Sequence, residues 1–463
     1  MNAALLNIYH RLPHGARTAL ASARGYQLRT WRYGRETDTL VQEALERERW
    51  SADRWEQWTA ARLDYILGRA AARVPYYRDQ WHGRRGDTRR LADWPVLSKA
   101  ALREQPRAFV ADDRNTRSMF AEHTSGTSGS PLHLWWSRGT VRAWYALFEA
   151  RCRLWYGVSR HDRWAILGGQ LIVPFARRTP PFWVWNRWLN QLYLSSHHLA
   201  PDLIPAYVGA LRAHKIEYIW GYPSALFAIA QELIRAGERL PMRVAVTNAE
   251  PVEPYQREII AEAFQCPVRE TYGMAEIVAA ASECAEGRLH WWPDAGVVEV
   301  LGDDGRFGAR TGALVGTSLL NDDMPLIRYD VGDRVTLPAV QIDCACGRTM
   351  PVAGAIDGRA DDVLVTADGR RIGRLDTAFK SGLPIREAQI IQESPAVIRV
   401  RYVPEPGFGP AAAADLCSAL RDRLGDVSVT LEEVERVPRT SNGKFRAVIS
   451  KLPQAAPIRN HEA

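Results

Sequence analysis

Between residues 120 and 335, short apolar runs alternate with amphipathic helical segments, and this alternation constrains the fold more than any other feature. The apolar runs include RWAILGG, IEYIWGYP, RVAVTNAE and PVRETYG, with helical segments such as SALFAIAQELIRAG between them. Repeated strand and helix order predicts an α/β protein whose parallel sheet is covered by helices on both faces. Ligands of such sheets bind beyond the carboxyl ends of the strands, where GYP, NAE and ETYG occur.

The regions that flank this pattern predict a division into three parts. Residues 1–110 have helical spacing and are expected to form a helical segment packed on the large domain. Residues 111–360 would form the core domain, which includes a β-rich unit where Gly and Asp-rich turns separate apolar runs. Residues 361–463 would form a small α+β domain, with strands QIIQES and AVIRVRYV next to the helix AAADLCSALRDRL.

Composition narrows the class of protein. The 463 residues are 46% hydrophobic and 24% charged, which is typical of a globular chain and excludes collagen, a disordered chain and a disulfide miniprotein. No apolar run approaches the roughly 20 residues that cross a bilayer, and the first residues lack the pattern of a secretory signal. We therefore expect a cytoplasmic protein.

The net charge of +7 comes almost entirely from arginines scattered among acids, so we expect no nucleic-acid partner. The segment YHRLPHGARTALASARGYQLRTWRYGR combines aromatic and basic side chains and leaves two interpretations open. It lies on a membrane surface as a peripheral contact, or it packs on the domain with its arginines reaching solvent. The second interpretation is favoured. No pattern indicates an oligomeric state.

A run of hydroxyls and glycines precedes the apolar sequence LHLWW. Such a loop turns backbone N–H groups and hydroxyls toward one anion, and glycine lets the backbone approach a phosphate closely. It is not a Walker loop, because GxxxxGK[ST] is absent. Composition alone also fits a solvated linker. The candidate phosphate-binding residues are Thr124, Ser125, Gly126, Thr127, Ser128 and Gly129.

Three distant segments support a nucleotide site. The segment 270–276 joins Tyr272, whose ring can stack on a base, to Glu276, whose carboxylate can hold Mg²⁺ beside phosphates. The motif RYDVGD ends a predicted strand with Asp333, which can accept hydrogen bonds from ribose hydroxyls. Lys444 stands in the loop RTSNGK and is one of only five lysines in the chain. Taken singly, each also fits a capping acid, a turn acid or a surface lysine.

Together with VPYYRDQW, WPVLSKAALRE, WGYPS, CACGR, GRADD and IREAQIIQ, these motifs resemble the adenylate-forming superfamily of acyl-CoA synthetases, adenylation domains and luciferases. Within it, the chain is most similar to the phenylacetate-CoA ligase and CapK-like branch. The resemblance implies a large adenylate-forming domain and a small mobile C-terminal domain. It also implies that a carboxylic acid attacks the α-phosphorus of ATP, releases pyrophosphate, and passes from the acyl-adenylate to coenzyme A.

The resemblance also implies residue roles. Lys444 would neutralise charge during adenylation, Glu276 would place Mg²⁺, and Asp361 would be the hinge of a domain rotation. The residues that the resemblance implies to border ATP or AMP are Ala249, Glu250, Tyr272, Gly273, Asp333 and Arg359. Those that it implies to line the acyl pocket are Trp220, Gly221, Tyr222, Pro223, Met274, Ala275 and Ile277.

Some residues near the predicted pocket could instead have a structural role. Trp164, Gly168, Gly169 and Gln170 are added as further pocket residues, although the aromatic residues fit a hydrophobic core equally well. The pair His197 and His198 is placed on a helix, where paired histidines are more often structural than pocket residues. Ser130 stands where many relatives have a phosphate-loop lysine, which removes one phosphate contact.

Four sulfur and nitrogen ligands suggest a metal site. The sequence has Cys284 and His290, followed by the pair Cys344 and Cys346. Four such ligands suit a closed tetrahedral zinc site, while the Cys-x-Cys spacing also fits unrelated free thiols. The resemblance favours structural Zn²⁺, since some CapK-like proteins have a zinc knuckle at this place. Catalytic zinc is disfavoured because four protein ligands leave no open position.

Two alternatives to a CoA ligase remain. One is an adenylating enzyme that passes the acyl group to an amine, hydroxyl or sugar acceptor in natural-product or surface-polysaccharide synthesis. The other is a non-catalytic nucleotide-binding protein, against which the presence of Glu276, Asp333 and Lys444 argues.

Overall fold

The computed structural model describes residues 8–82, 85–123, 132–169, 172–174, 176–250, 252, 254–302, 304–357, 364–372, 375, 383–435, 437 and 448–452. Its helices are α1 (His14–Arg32), α2 (Thr37–Arg47), α3 (Ala52–Arg73), α4 (Pro75–Trp81), α5 (Lys99–Glu104), α6 (Arg138–Cys152), α7 (Ile204–Ala213), α8 (Pro223–Arg235), α9 (Pro254–Phe264) and α10 (Pro410–Leu424).

The strands are β1 (Phe120–His123), β2 (His133–Trp136), β3 (Trp164–Gly168), β4 (Trp183–Asn186), β5 (Gln191–Ser195), β6 (Tyr218–Gly221), β7 (Val244–Thr247), β8 (Val268–Gly273), β9 (Ala280–Glu283), β10 (Leu289–Trp291), β11 (Gly296–Leu301), β12 (Thr311–Ser318), β13 (Tyr329–Thr336), β14 (Ala355–Asp357), β15 (Leu364–Val365), β16 (Arg371–Ile372), β17 (Ile385–Ser394), β18 (Val397–Pro404), β19 (Ser428–Glu433) and β20 (Val448–Ser450).

An eight-stranded sheet organises the large part of the chain, in the order β10-β9-β8-β7-β6-β3-β5-β4. Strands β5, β3, β6, β7 and β8 are parallel, whereas β4 and β9 pair antiparallel with this set. Every residue of β6 and β7 is buried, as is typical of strands covered on both faces. The predicted α/β fold with a parallel sheet is confirmed.

Successive residues of the central strands point to opposite layers. Ile219 and Ala245 belong to the hydrophobic cluster that includes helices α7, α8 and α9. Trp220 and Val246, their neighbours in sequence, belong to a second cluster with α2 and α6. This period of two explains why the strands read as continuous apolar runs, since both faces need apolar side chains.

The second sheet and the N-terminal helices share one core. Strands β11 to β14 form an antiparallel sheet, and Ile66 and Leu67 of α3 belong to the same buried cluster as Leu314 and Ile327. The Tyr77 hydroxyl donates to the Pro325 carbonyl at 3.1 Å and accepts from the Ile327 amide at 3.0 Å. The helices of residues 14–81 therefore pack on the large unit.

The C-terminal part has its own core. Strands β17 and β18 pair antiparallel, and β20 and β19 flank them in parallel. Ile390 and Val400 pack with Leu416 and Leu420 of α10. This is the predicted α+β arrangement, while the boundary at residue 361 lies outside the described residues. Among the helices that the structure describes, none combines the length and apolarity that spanning a bilayer requires.

Candidate functional site

The predicted site segments follow the carboxyl ends of adjacent parallel strands. β6 ends at Gly221, β7 ends at Thr247, and the two residues are register partners. A Cβ on Gly221 would lie 3.0 Å from the Cβ of Leu167 on β3, so glycine allows this close approach between strands. The segments 220–223, 249–250 and 272–277 consequently gather at one edge of the sheet.

Tyr272 and Asp333 meet directly. The Tyr272 hydroxyl donates to Oδ2 of Asp333 at 2.7 Å, although the two residues lie on strands of different sheets, β8 and β13. The Tyr272 ring contacts Trp291 edge-on, with centroids 5.8 Å apart. Two residues expected to hold adenine and ribose are thus fixed side by side.

Glu276 follows Tyr272 by four residues and occupies a buried position. Its side chain is 6% exposed, and Oε1 accepts a hydrogen bond of 2.9 Å from the Tyr329 hydroxyl. The ammonium group of Lys99 lies 3.7 Å from the same oxygen. Neither Lys99 nor Tyr329 was predicted to be a site residue. Their signal was present, since Lys99 is one of five lysines and both stand in motifs that carry the resemblance.

Glu250 connects two of the site segments. Its Oε2 accepts a hydrogen bond of 3.2 Å from the backbone amide of Ser224 in the first turn of α8. A carboxylate at this position is stabilised by the helix dipole. Ala249 adopts φ of 66°, the left-handed conformation, which turns the chain sharply after β7. Glu250 therefore ties the NAE segment to the GYP segment.

The proposed acyl-pocket residues divide into core and edge. Trp220 is 3% exposed and stacks on Phe148 with centroids 4.7 Å apart, so its ring belongs to the core against α6. Ile277 is completely buried beside Trp136. The half-buried residues are Tyr222, Met274 and Ala275, whereas Pro223 is buried at the start of α8.

One expectation about the pocket is wrong. Trp164 is the first residue of β3 and lies at the amino edge of the sheet, whereas Gly168 and Gly169 follow at the carboxyl edge. A Cβ on Gly169 would lie 3.0 Å from the Tyr222 hydroxyl, so this glycine does adjoin the site. Trp164 cannot line the same pocket because the strand separates it from Gly168.

His197 and His198 are not on a helix. They form the turn after β5, where both are buried. Nδ1 of His198 lies 2.8 Å from the Ser195 hydroxyl, which satisfies the turn locally. Burial, followed by the charge of Arg423, lowers the pKa of His197 to about 3. Its imidazole is therefore neutral at ordinary pH and donates from Nε2 to the Gly169 carbonyl at 3.4 Å.

The four proposed metal ligands converge. Their ligand atoms all lie within 4.8 Å of one another. Sγ of Cys284 is 3.7 Å from Sγ of Cys344, and Sγ of Cys346 is 3.5 Å from Nε2 of His290. Nδ1 of His290 donates to the Met350 carbonyl at 2.8 Å, which leaves Nε2 for the cluster. Burial lowers the pKa of His290, which favours the neutral ring that binds metals.

A buried ionic network supports this cluster from the side of α2. Arg348 donates to Glu48 at 3.0 Å, and its guanidinium lies 3.9 Å from the centre of the Trp155 ring. The Trp155 ring in turn meets the His290 ring edge-on at 6.2 Å. The loop that carries Cys344 and Cys346 is therefore anchored independently of any metal.

Several predicted site residues lie outside the described residues. They are Thr124, Ser125, Gly126, Thr127, Ser128, Gly129, Ser130, Gln170, Arg359, Asp361 and Lys444.

The chain is similar in sequence to CapK and to phenylacetate-CoA ligases. The family model described as the CapK C-terminal domain matches residues 364–451. Protein CapK of Staphylococcus aureus is 26% identical over 248 residues, which cover 52% of this chain and 53% of that protein. The phenylacetate-coenzyme A ligase of Thermus thermophilus is 30% identical over 263 residues, which cover 49% of this chain and 58% of that enzyme.

A solved structure of 2-hydroxyisobutyryl-CoA ligase, in complex with 2-HIB-AMP and CoA, superposes with a TM-score of 0.57. It is 22% identical, and the alignment covers 87% of this chain and 91% of the ligase. The chain shares the fold of this CoA ligase. Its sequence similarity is to CapK and to phenylacetate-CoA ligases, as the motifs predicted.

The chain spans little more than half the length of the two curated relatives it matches here. The solved ligase, at 22% identity, shows the fold. The activity of this chain therefore has to be inferred from the positions of Tyr272, Asp333 and Glu276.

Proposed function

We propose that this protein is an AMP-forming ligase that activates a carboxylic acid with ATP and transfers the acyl group to coenzyme A. The hydrogen bond between Tyr272 and Asp333, with Glu276 buried four residues after Tyr272, carries the proposal. This arrangement places an aromatic ring and two carboxylates at the carboxyl edge of the sheet, where α/β folds bind ligands.

Each of these residues has a distinct task. The Tyr272 ring would lie against adenine while its hydroxyl orients Asp333 toward the ribose hydroxyls. Glu276, held by Tyr329 and Lys99, would fix a divalent cation near the triphosphate. Carboxylate oxygen is the ligand that Mg²⁺ prefers, and the bound ion would offset phosphate charge.

The acid and phosphates depend on residues outside the described part of the chain. The loop 124–129 would cradle the β- and γ-phosphates, and Arg359 would sit near ribose or phosphate. Lys444 would stabilise the charge that develops as the carboxylate attacks the α-phosphorus. Rotation about Asp361 would then withdraw Lys444 and admit the acceptor thiol. The half-buried edge around Tyr222, Met274 and Ala275 would receive a small, flat or apolar acid.

A second acceptor class has one observation in its favour. The matched family model is that of CapK rather than of a CoA ligase, and a CapK protein is among the relatives. In this alternative the same adenylate passes to an amine, hydroxyl or sugar. The two alternatives share the adenylation half-reaction and differ only in the acceptor.

The decisive experiment measures pyrophosphate release from ATP across a panel of carboxylic acids, followed by product analysis with CoA or an amine. Lys444→Ala should lower acid-dependent release by about 100-fold or more while ATP binding stays nearly intact. Lys451→Ala is the matched control, since Lys451 pairs with Glu393 at 2.7 Å in the same domain. Equal release by both variants would refute the role of Lys444.

We also propose that Cys284, His290, Cys344 and Cys346 hold a structural Zn²⁺. Bonds of about 2.3 Å to sulfur in a tetrahedron separate ligand atoms by about 3.8 Å, close to the observed spacing. Cys344→Ser should release the metal and lower thermal stability, while Cys417→Ser should do neither. Stoichiometric zinc analysis of the purified protein, with a melting curve, checks both; a metal-free protein of normal stability would contradict the site.

A further inference from the structure

A cationic cavity opens at the amino edge of the central sheet, on the opposite side from the proposed ATP site. Its volume is about 260 Å³, and the end of α1, the start of β3 and the residues before β5 enclose it. Four arginines line it: Arg29, Arg32, Arg153 and Arg160. We call this the amino-edge cavity. The activity proposed above makes no use of it.

Aromatic rings hold the guanidinium groups in place. Arg29 lies over Trp188 at 5.9 Å from the ring centre, and Arg32 lies over Tyr145 at 4.3 Å. Arg153 lies 5.1 Å from the centre of the Trp164 ring in the same way. A guanidinium that contacts a ring with its flat face keeps its N–H donors in the plane of the group. These donors remain suited to an anion.

The cavity has far less negative than positive charge. No carboxylate lines it within the part of the chain that the structure describes. Glu149, buried behind it, pairs with Arg153 at 3.0 Å and approaches Arg160 at 3.5 Å. Asp38 pairs with Arg160 from outside, where its side chain is 84% exposed. The single buried carboxylate of Glu149 therefore pairs with both Arg153 and Arg160.

Arg29 and Arg32 have no carboxylate partner among the described residues. Neither forms an ion pair with a carboxylate of the described residues, and the buried Nε of Arg32 has no hydrogen-bond partner there. A buried donor that lacks an acceptor costs about 1–3 kcal/mol, more where the group is charged. The two arginines thus bring positive charge to the cavity that no carboxylate of the described residues neutralises.

We propose that the amino-edge cavity binds the phosphate group of a small organic phosphate. Three to four guanidinium groups against one buried carboxylate favour a doubly charged anion, and the planar fork of arginine matches phosphate oxygens. The organic portion lies against Trp188, which also contacts the exposed ring of Tyr26 with centroids 5.0 Å apart. The cavity is slightly smaller than the roughly 300 Å³ at which drug-sized pockets begin. The ligand is therefore smaller than a typical drug molecule.

Two sources supply this chemistry, a soluble phosphate ester and a phospholipid headgroup. Trp188, which lines the cavity, and Tyr26, which contacts it, are 41% and 53% exposed, so aromatic side chains stand beside the cavity on the outer surface. A lipid would place its headgroup in the cavity and its chains near these residues. The experiment separates the sources.

Titration calorimetry with phenyl phosphate, inorganic phosphate and benzoate tests the soluble arm. Co-sedimentation with phosphatidylcholine vesicles, with and without phosphatidic acid, tests the lipid arm. The variant is Arg29→Gln/Arg32→Gln, and the matched control is Arg24→Gln/Arg49→Gln, which removes the same charge at exposed positions outside the cavity. Should the first variant fold poorly, Arg29→Glu repels the anion without altering a buried residue.

We expect saturable binding of phenyl phosphate, tighter than that of benzoate, that weakens at least tenfold in the cavity variant and not in the control. Vesicle binding that requires phosphatidic acid and the same two arginines would support the lipid source instead. Acid-dependent pyrophosphate release should be equal in all proteins, which separates this inference from the proposed function. Binding in neither arm, or binding insensitive to Arg29 and Arg32, would overturn the inference.

Discussion

The two edges of the central sheet accumulate opposite charges. At the carboxyl edge, Glu250, Glu276 and Asp333 gather, and hydroxyls, an amide and one ammonium group hold them. At the amino edge, arginines gather over aromatic rings. Carboxylates suit a metal ion and ribose hydroxyls, whereas guanidinium groups suit an anion. One sheet thus offers two chemically distinct sites, about one strand length apart.

Arg151 differs from the cavity residues Arg29 and Arg32 in how its charge is paired. Arg151 is fully buried and its guanidinium forms two hydrogen bonds to Asp294, one of them 2.9 Å long. Burial raises the pKa of Asp294, but Arg151 and Arg47 outweigh it, so that the pKa lies below its usual value. The charge of Arg151 is therefore neutralised inside the protein, whereas no carboxylate of the described residues pairs with Arg29 or Arg32. This difference favours Arg29 and Arg32, rather than Arg151, as the residues that bind an anion.

The largest expected effect tests this contrast. Asp294→Asn leaves Arg151 buried beside Glu48 alone and should lower the free energy of unfolding by about 3–5 kcal/mol. Asp38→Asn makes the same substitution opposite Arg160 at an exposed position and should cost under about 1 kcal/mol. Urea denaturation of both variants measures the difference. Equal losses would show that the two environments do not differ as described.

The carboxyl edge should respond in activity rather than in stability. Glu276→Gln keeps the hydrogen bond from Tyr329 but removes the charge, so acid-dependent pyrophosphate release should fall by about 100-fold. Excess Mg²⁺ should restore part of this loss if the carboxylate binds the ion. A variant with full activity, or a loss explained by a lower melting temperature, would remove Glu276 from the metal site.

Tyr272 should contribute less, through two separable parts. Tyr272→Phe removes the hydroxyl that orients Asp333 but keeps the ring, and should lower kcat/KM for ATP by about tenfold. Tyr272→Leu also removes the ring and should lower it further. Steady-state kinetics with ATP as the varied substrate measure both. If the two variants match, the ring does not stack on adenine.

The sequence predicted the features that depend on local order. The run IEYIWG predicted a buried strand, and the motifs ETYG and RYDVGD predicted that Tyr272 and Asp333 share a site. The order of residues along β3 was also informative. Trp164 stands at the start of its strand and Gly168 at the end, so the chain direction alone already separated them.

The remaining features depend on contacts that spacing does not encode. The pair of Lys99 and Glu276 joins α5 to the loop after β8, and the amino-edge cavity joins α1 to residues more than 120 positions later. The placement of His197 and His198 on a helix failed because their turn is set by Ser195 and by packing against Gly169. The phosphate loop, Asp361 and Lys444 remain predictions.

The smallest expected effect concerns His197, which connects the carboxyl edge to the C-terminal domain. The Arg370 guanidinium donates to the His197 carbonyl at 3.2 Å, and the charges of Arg423, His198 and Arg370 all disfavour a proton on the ring. The pKa of about 3 in the folded protein lies below the usual 6.5, so the unfolded chain takes up the proton first.

Stability from this group is therefore complete above about pH 6.5 and is lost as the pH falls toward the folded pKa. Between pH 7 and pH 6 the loss should be about 0.7 kcal/mol, before carboxylates begin to titrate. Paired denaturation curves of the wild type and His197→Gln should show their difference shrink by this amount, and stay constant between pH 8 and pH 7. A difference that does not change from pH 7 to pH 6 would mean that the buried imidazole takes up its proton as readily as the unfolded chain does. The carboxyl edge would then accept positive charge at this position, and the contrast between the two edges would weaken.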